Sequence, residues 1–237
     1  MRGIRDGWGS RIDSLKREIS NMNIKEREDE LFKEWLQEQP MKDFAFDGVV
    51  NEKGFNDYVP RLVIVLKDTN GGTGHWSLSD LIARGNHSGE KGTWYPIAKW
   101  LARLGSEDVP LNDVKEKARL FRRIAVVNLK KTPGEGRSAQ TEVKKFVHNE
   151  VNCSFLSRQF RLYMDRPTIF ACCGRGVVEN FEYCMGKLGV NTRIGTDGVS
   201  SLGGCCSYFR FRHPNCSSNK DAELFAERYE KARKVMS

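Results

Sequence analysis

The sequence predicts an α/β fold, a three-layer α/β/α sandwich around a mainly parallel central sheet of about four strands. Three observations carry this. Oily runs such as Leu62-Val63-Ile64-Val65-Leu66 are apolar at every position, as strands buried on both faces of a parallel sheet are. Between the runs, apolar residues recur three and four apart, the helical period. The two patterns alternate along the chain, with no internal repeat and no linker long enough to divide domains. The 237 residues suffice for one domain with a substantial core. Within it, residues 1–59 read as an amino-terminal helical extension packed on a core of residues 60–237.

In chain order, residues 10–38 read as helix. Ile12, Leu15, Ile19 and Met22 start an apolar stripe that Leu31, Phe32, Trp35 and Leu36 continue. A break near Asn21–Asn23 divides it, and Pro40 marks its stop. Residues 61–67 are the first strand. "TWYPIAKWLARLG" reads as a loop feeding a helix, with Pro96 in the first turn and Gly105 past the end. "RIAVVNL", residues 123–129, is the second strand and opens onto "KKTPGEGRS", a loop by its proline and glycine content. A helical stretch over 139–164 follows, broken near Asn152. "TIFACC", 168–173, is the third strand, and "GRG" at 174–176 leads into a helix through 187. "NTRI" reads as a short strand. "CSYFRFRH", 206–213, alternates like a strand and ends at "HPN". A last helix covers 220–235, with Leu224, Phe225, Tyr229 and Ala232 on one side.

Lys and Arg total 39 against 31 acids, giving +8 and a pI near 9.1. Two readings stand: a solvated basic surface, or attraction to a polyanion such as nucleic acid. No apolar run reaches the roughly 18 residues of a membrane span, and the start has no apolar signal region. No membrane partner is expected. The seven cysteines are odd in number and include the adjacent pairs Cys172-Cys173 and Cys205-Cys206. That is no disulfide framework, so a reducing, cytoplasmic setting is expected. A metal site from Cys205, Cys206, His213 and Cys216 is conceivable, but without a Cys-x-x-Cys pair no metal is expected.

In parallel sheets, ligands bind beyond the carboxyl ends of the strands. The four strand ends offer Asp68, Asn128 with the basic loop of Lys130, Lys131 and Arg137, the Gly174–Gly176 turn, and His213. Each has a plain reading beside the functional one. Asp68 is a helix cap or a catalytic acid; a buried Asn128 amide finds its partners in the fold or in a ligand. His213, held extended by Pro214, is structural or catalytic. The basic loop grips phosphates or is simply solvated. The glycines at 71, 72 and 74 lack both the P-loop ending and the dinucleotide-binding spacing, so no nucleotide cofactor is expected. The common location of the four groups is what favours function.

The order of strand–Asp loop, strand–Asn loop, strand–Gly turn and strand–His-Pro is similar to that of the uracil-DNA glycosylase superfamily. "VIVLKDTNG" resembles its first motif, "AVVNLKKTPGEGRS" its base-reading asparagine strand, "PTIFACCGRGV" its glycine-turn strand, and "FRFRHPN" its His-Pro-Ser motif. The resemblance spans roughly residues 60–235. It implies a uracil-DNA glycosylase-like fold and base excision after the nucleotide is flipped from the stack. Asp68 would position water and stabilise positive charge on the sugar, and His213 would hydrogen-bond the departing base. Asn128 would read the base edge, with Asn70, Gly71 and Trp76 lining the pocket. Lys130, Lys131, Arg137, Arg210 and Arg212 would hold phosphates. The loop "PNCSSN", with Asn215, would sit where the family pushes a wedge into DNA.

Departures from the pattern refine the expectation. Where the family often has Tyr two residues after the Asp, this chain has Asn70, then Gly71 and Gly72. That implies a roomier pocket and a base substituted at C5, such as hydroxymethylated or glucosylated cytosine of phage DNA. In this the chain looks like glycosylases of bacterial antiviral defence; ordinary uracil repair is the alternative. Iron–sulfur branches carry early cysteines, whereas the first here is Cys153, so no cluster is expected. Trp76 and Trp94 are the aromatics considered for stacking on the base, and a structural role is read for His75. No lysine is placed as a Schiff-base nucleophile, so a monomeric, monofunctional glycosylase without cofactor is expected. Competing readings are a non-catalytic nucleic-acid-binding module and a generic nucleotide hydrolase or transferase.

Overall fold

The computed structural model describes residues 22–85, 92–134, 139–192, 195, 197–216, 218 and 220–236. Its strands are β1 (Phe44–Phe46), β2 (Gly48–Val49), β3 (Arg61–Asn70), β4 (His75–Ser77), β5 (Ile124–Gly134), β6 (Thr168–Cys173), β7 (Val199–Gly203) and β8 (Cys206–Phe211). Its α-helices are α1 (Ile24–Glu38), α2 (Glu52–Asp57), α3 (Leu78–Ala83), α4 (Trp94–Leu104), α5 (Val114–Phe121), α6 (Gln140–Val147), α7 (Glu150–Leu162), α8 (Val177–Lys187) and α9 (Asp221–Lys234). The architecture is mixed α/β. The main sheet has six strands in the order β2-β5-β3-β6-β8-β7, rather than about four. The inner four are mutually parallel, and β2 and β7 close the two edges antiparallel. Strand β2 is only two residues long and β7 is partly polar, which is why no periodicity announces them.

Strand alternation sends side chains to opposite faces, and each face carries its own apolar cluster. Val63, Val65, Val127 and Phe170 pack with Trp35 of α1, Phe160 of α7 and Phe181 of α8. Leu62, Ile64, Val126 and Phe209 pack with Ile82 of α3, Leu101 of α4, Phe121 of α5 and Phe225 of α9. Among the described residues no helix is long and apolar enough to cross a membrane.

Helix α1 starts where the sequence breaks. The Asn23 side chain accepts the Glu26 N–H at 3.0 Å, while Glu26 accepts the Asn23 N–H at 2.8 Å, a reciprocal capping box. It ends at Glu38, just before Pro40. Trp35 lies parallel to Phe155 with 5.3 Å between ring centroids, and its Nε1 donates to Asn152 Oδ1 at 3.0 Å. With α1 in the core and β2 in the sheet, the segment before residue 60 is more than a helical extension: it supplies part of both. Residues 10–21 of the expected helix lie outside the described residues.

Three further expectations need correction. Strand β5 runs on to Gly134, so Lys130–Pro133 are strand, not loop. The helical stretch over 139–164 does divide, but at His148–Asn149 between α6 and α7, rather than at Asn152. Of "NTRI", Asn191 and Thr192 are not in a strand, and residues 193 and 194 lie outside the described residues. The third strand matches residue for residue, because it is buried at all six positions and bounded by Pro167 and Gly174.

Candidate active site

Parallel pairing places the carboxyl ends of β5, β3, β6 and β8 along one edge of the sheet. Val65 of β3 is level with Cys172 of β6, which is level with Arg210 of β8. Asp68 and His213 each lie three residues beyond that row, Asp68 still within β3 and His213 two residues past the end of β8, on strands that flank β6. Two inter-strand spacings amount to about 10 Å. Asp68 follows Leu62, Ile64 and Leu66 in alternation, which assigns it to the face of α3, α4 and α9. The chain reverses direction of travel across the sheet between β3 and β6, the point at which open α/β sheets form their ligand crevice.

The turn after β6 is built against the histidine. Gly174 donates its N–H to Phe211 O at 2.9 Å, and a Cβ added there would lie 3.5 Å from His213 Cδ2. His213 is half-buried, and its Nδ1 accepts the Asn215 backbone N–H at 3.2 Å. A neutral ring with an accepting Nδ1 carries its proton on Nε2, which makes Nε2–H the donor. Asn215 is exposed, and its Oδ1 accepts the Thr93 hydroxyl at 2.8 Å, tying the short 3-10 turn Pro214–Cys216 to the start of α4.

Asn128 of β5 is level with Leu66, deeper along the strands than Asp68. It is 1% exposed. Its backbone N–H donates to Asp47 Oδ2 at 2.7 Å and its Nδ2 to the same oxygen at 3.3 Å. Its Oδ1 is buried with no hydrogen-bond partner among the described residues. A buried acceptor left unpaired costs about 1–3 kcal/mol, so a ligand that satisfies it is favoured.

The loop after Asp68 opens outward. Gly71 and Gly72 have φ of +72° and +91°, and a Cβ on Gly71 would meet nothing within 4 Å. Gly72 is bare for a different reason: the Trp76 indole lies against it, and a Cβ there would collide with Nε1. Trp76 is half-buried, with Nε1 unpartnered among the described residues. The Asn70 side chain lies outside the described residues. Trp94 is also half-buried and meets Phe121 edge-on. His75 is exposed, with Nε2 2.9 Å from Met41 O.

The basic residues divide. Lys130 is half-buried and stands beside Asp68 in the β3–β5 register. Arg210 and Arg212 are exposed and pair with Glu179 at 2.8 Å and Asp221 at 3.4 Å. Arg137 lies outside the described residues. Lys131 corrects the sequence reading: it is fully buried, 2.5 Å from an equally buried Asp47, and cannot reach a phosphate. As a strand residue it shares the face of Leu129, not that of Lys130. The conceivable metal site also dissolves, because Cys206 begins β8 and His213 follows its end, roughly 20 Å of extended chain apart.

Sequence reasoning missed the group that surrounds Lys131. Asp47 Oδ1 accepts from Lys131 Nζ and, at 3.0 Å, from Gln159 Nε2; Gln159 Oε1 accepts from Lys131 at 2.8 Å. Beside them the Tyr163 hydroxyl donates to Glu28, which also accepts the Val49 N–H at 3.0 Å. Burial pushes the Glu28 carboxyl up to about 8 and pulls the Lys131 ammonium down. Nothing local marks these residues, since they come from α1, the β1–β2 link, β5 and α7. No protein-family model matches the chain, and no curated protein matches it.

Proposed function

We propose that this chain is a monofunctional DNA glycosylase of uracil-DNA glycosylase-like, three-layer fold. It draws one C5-substituted pyrimidine nucleotide out of the DNA and hydrolyses the bond between sugar and base, leaving an abasic site. The observation that carries this is the position of Asp68 and His213 at the carboxyl ends of β3 and β8, the two strands that flank β6 and its glycine turn. The gap of about 10 Å between their strands suits a single extruded base. Asp68 holds the attacking water and stabilises the positive charge that grows on the sugar. His213 Nε2–H donates to the base as it leaves with negative charge. Both act on charge that exists only near the transition state, which is where stabilisation raises rate.

Asn128 reads the base through its unpartnered oxygen. Open space at Gly71 supports a substituent at C5, and hydroxymethylated or glucosylated cytosine of phage DNA is the substrate class; defence of a bacterial cytoplasm follows from that substrate. Arg210, Arg212 and Lys130 attract the phosphates, and the enzyme works as a monomer without cofactor. The test is incubation with single- and double-stranded oligonucleotides carrying uracil, 5-hydroxymethylcytosine or its glucosylated form, then alkali to cut at abasic sites. Cleavage at the substituted cytosines is expected, and Asp68→Asn should lower excision on the order of a hundredfold or more while DNA binding stays. Cleavage at uracil alone removes the roomy pocket, and DNA binding without any base release makes the chain a binding module.

A further inference from the structure

An asparagine amide reads a base only if its two ends are told apart. Uracil and cytosine present opposite orders of hydrogen-bond donor and acceptor along the N3–C4 edge, and a freely flipping amide accepts both. In this chain the Asn128 amide is not free. Its nitrogen is committed to Asp47 Oδ2, which also holds the Asn128 backbone N–H. Flipping would set Asn128 Oδ1 against the carboxylate, acceptor to acceptor. The carboxylate itself is immobilised: its other oxygen takes Lys131 Nζ at 2.5 Å and Gln159 Nε2 at 3.0 Å, and Gln159 closes the ring by accepting from Lys131. Asp47, Lys131 and Gln159 are each 3% exposed or less. The one end of the amide left unpaired is Oδ1, the end a ligand has to satisfy.

We propose that Asp47, clamped by Lys131 and Gln159, is a positioning residue that locks the Asn128 amide with its oxygen toward the base. The pocket then accepts one edge pattern, with a donor facing Oδ1, and rejects the reverse. The inference rests on the glycosylase reading above. It also gives the segment before β3 a role beyond packing, since that segment carries Asp47, in the link between β1 and β2, to the base-reading residue.

The test compares excision of 5-hydroxymethyluracil and 5-hydroxymethylcytosine, which carry the same C5 group and differ in the edge that Asn128 meets. Wild-type enzyme is expected to favour one over the other in kcat/KM. The double variant Asp47→Leu/Lys131→Met removes both charges together, leaves no lone buried ion, and takes away the acceptor that holds the Asn128 amide nitrogen, so the amide is free to turn. The wild-type preference should fall about tenfold or more toward unity, with the melting transition retained. A merely structural role would lower both rates and leave their ratio unchanged, and that result overturns the lock. Should the double variant not fold, Gln159→Leu loosens Asp47 without touching Asn128; a preference reduced several-fold supports the lock and an unaltered one overturns it. Equal wild-type rates on the two bases sink the lock but spare the glycosylase. No release of either base by wild-type enzyme, nor of any other in the panel, sinks the glycosylase reading itself.

Discussion

Glu28 is a carboxyl group held where a charge is expensive. It is 2% exposed, and burial is the main cause that raises it from its ordinary 4.5 to about 8; neighbouring Asp47 pushes the same way, while Tyr163, Val49 and Lys131 pull it back. Gly48, at φ +115°, is bare because a Cβ there would collide with the Glu28 carboxylate. The sign of the pH effect follows from the raised value. The native chain holds a proton that the unfolded chain releases, so the stabilisation is complete below about 4.5 and is lost as pH rises through about 8. Across that window the group contributes a slope of about −1.4 kcal/mol per pH unit. Lys131, lowered chiefly by burial, contributes with the opposite sign below its ordinary 10.5. Glu28→Gln keeps an oxygen for Tyr163 and has no proton to lose. Urea unfolding at pH 5, 7 and 9 should find the variant gaining on wild type as pH rises. Parallel stability profiles would mean that the native carboxyl is already ionised.

At the scale of elements, legibility follows how local the cause is. Strand β6 is readable because everything that makes it a strand lies within it: six buried residues between a proline and a glycine. Strand β5 reads as stopping at 129 because Lys130, Lys131 and Pro133 look like a loop. Lys131 is core only because Asp47, 84 residues away in sequence, neutralises it, and no window along the chain contains both. The strand-end acid, amide, glycine turn and histidine can be picked out because each follows an apolar run; the Asp47 clamp cannot. The break between α6 and α7 falls at a different asparagine from the one the sequence suggests, and the reason is local. Asn149 is the cap, its side chain accepting the Asn152 N–H at 3.1 Å, while Asn152 is buried and bonds Trp35 and Phe146 O instead. Asn149→Ala should therefore cost about 1 kcal/mol in urea unfolding, the usual worth of a side-chain cap. No measurable loss would mean that α7 starts without help from Asn149.

At the scale of the molecule, strands that run parallel all end at one edge of the sheet, so the gathering of Asp68, Gly174 and His213 there is implied once the strands are recognised as parallel. Their lateral order is not, because it depends on which helix covers which face. The +8 charge is equally legible but says nothing of where it sits. Of the cations assigned to DNA, Lys131 is withdrawn into the core, while Arg210 and Arg212 stand exposed near the edge that carries Asp68 and His213. Their carboxylate partners are not an obstacle for Arg210, since an exposed ion pair is worth about 0–1 kcal/mol and phosphate competes with it. If this edge meets DNA, each arginine displaces about one condensed counterion, and the logarithm of affinity falls with the logarithm of salt accordingly. Arg210→Ala should weaken binding by a similar factor on every sequence and reduce the slope of log Kd against log salt by about one. Excision at saturating DNA should stay near wild type, because Arg210 points away from the Asp68 face in the alternation of β8. A slope unchanged in this variant and in Arg212→Ala would turn the DNA-binding face elsewhere and leave the charge at this edge a solvated surface.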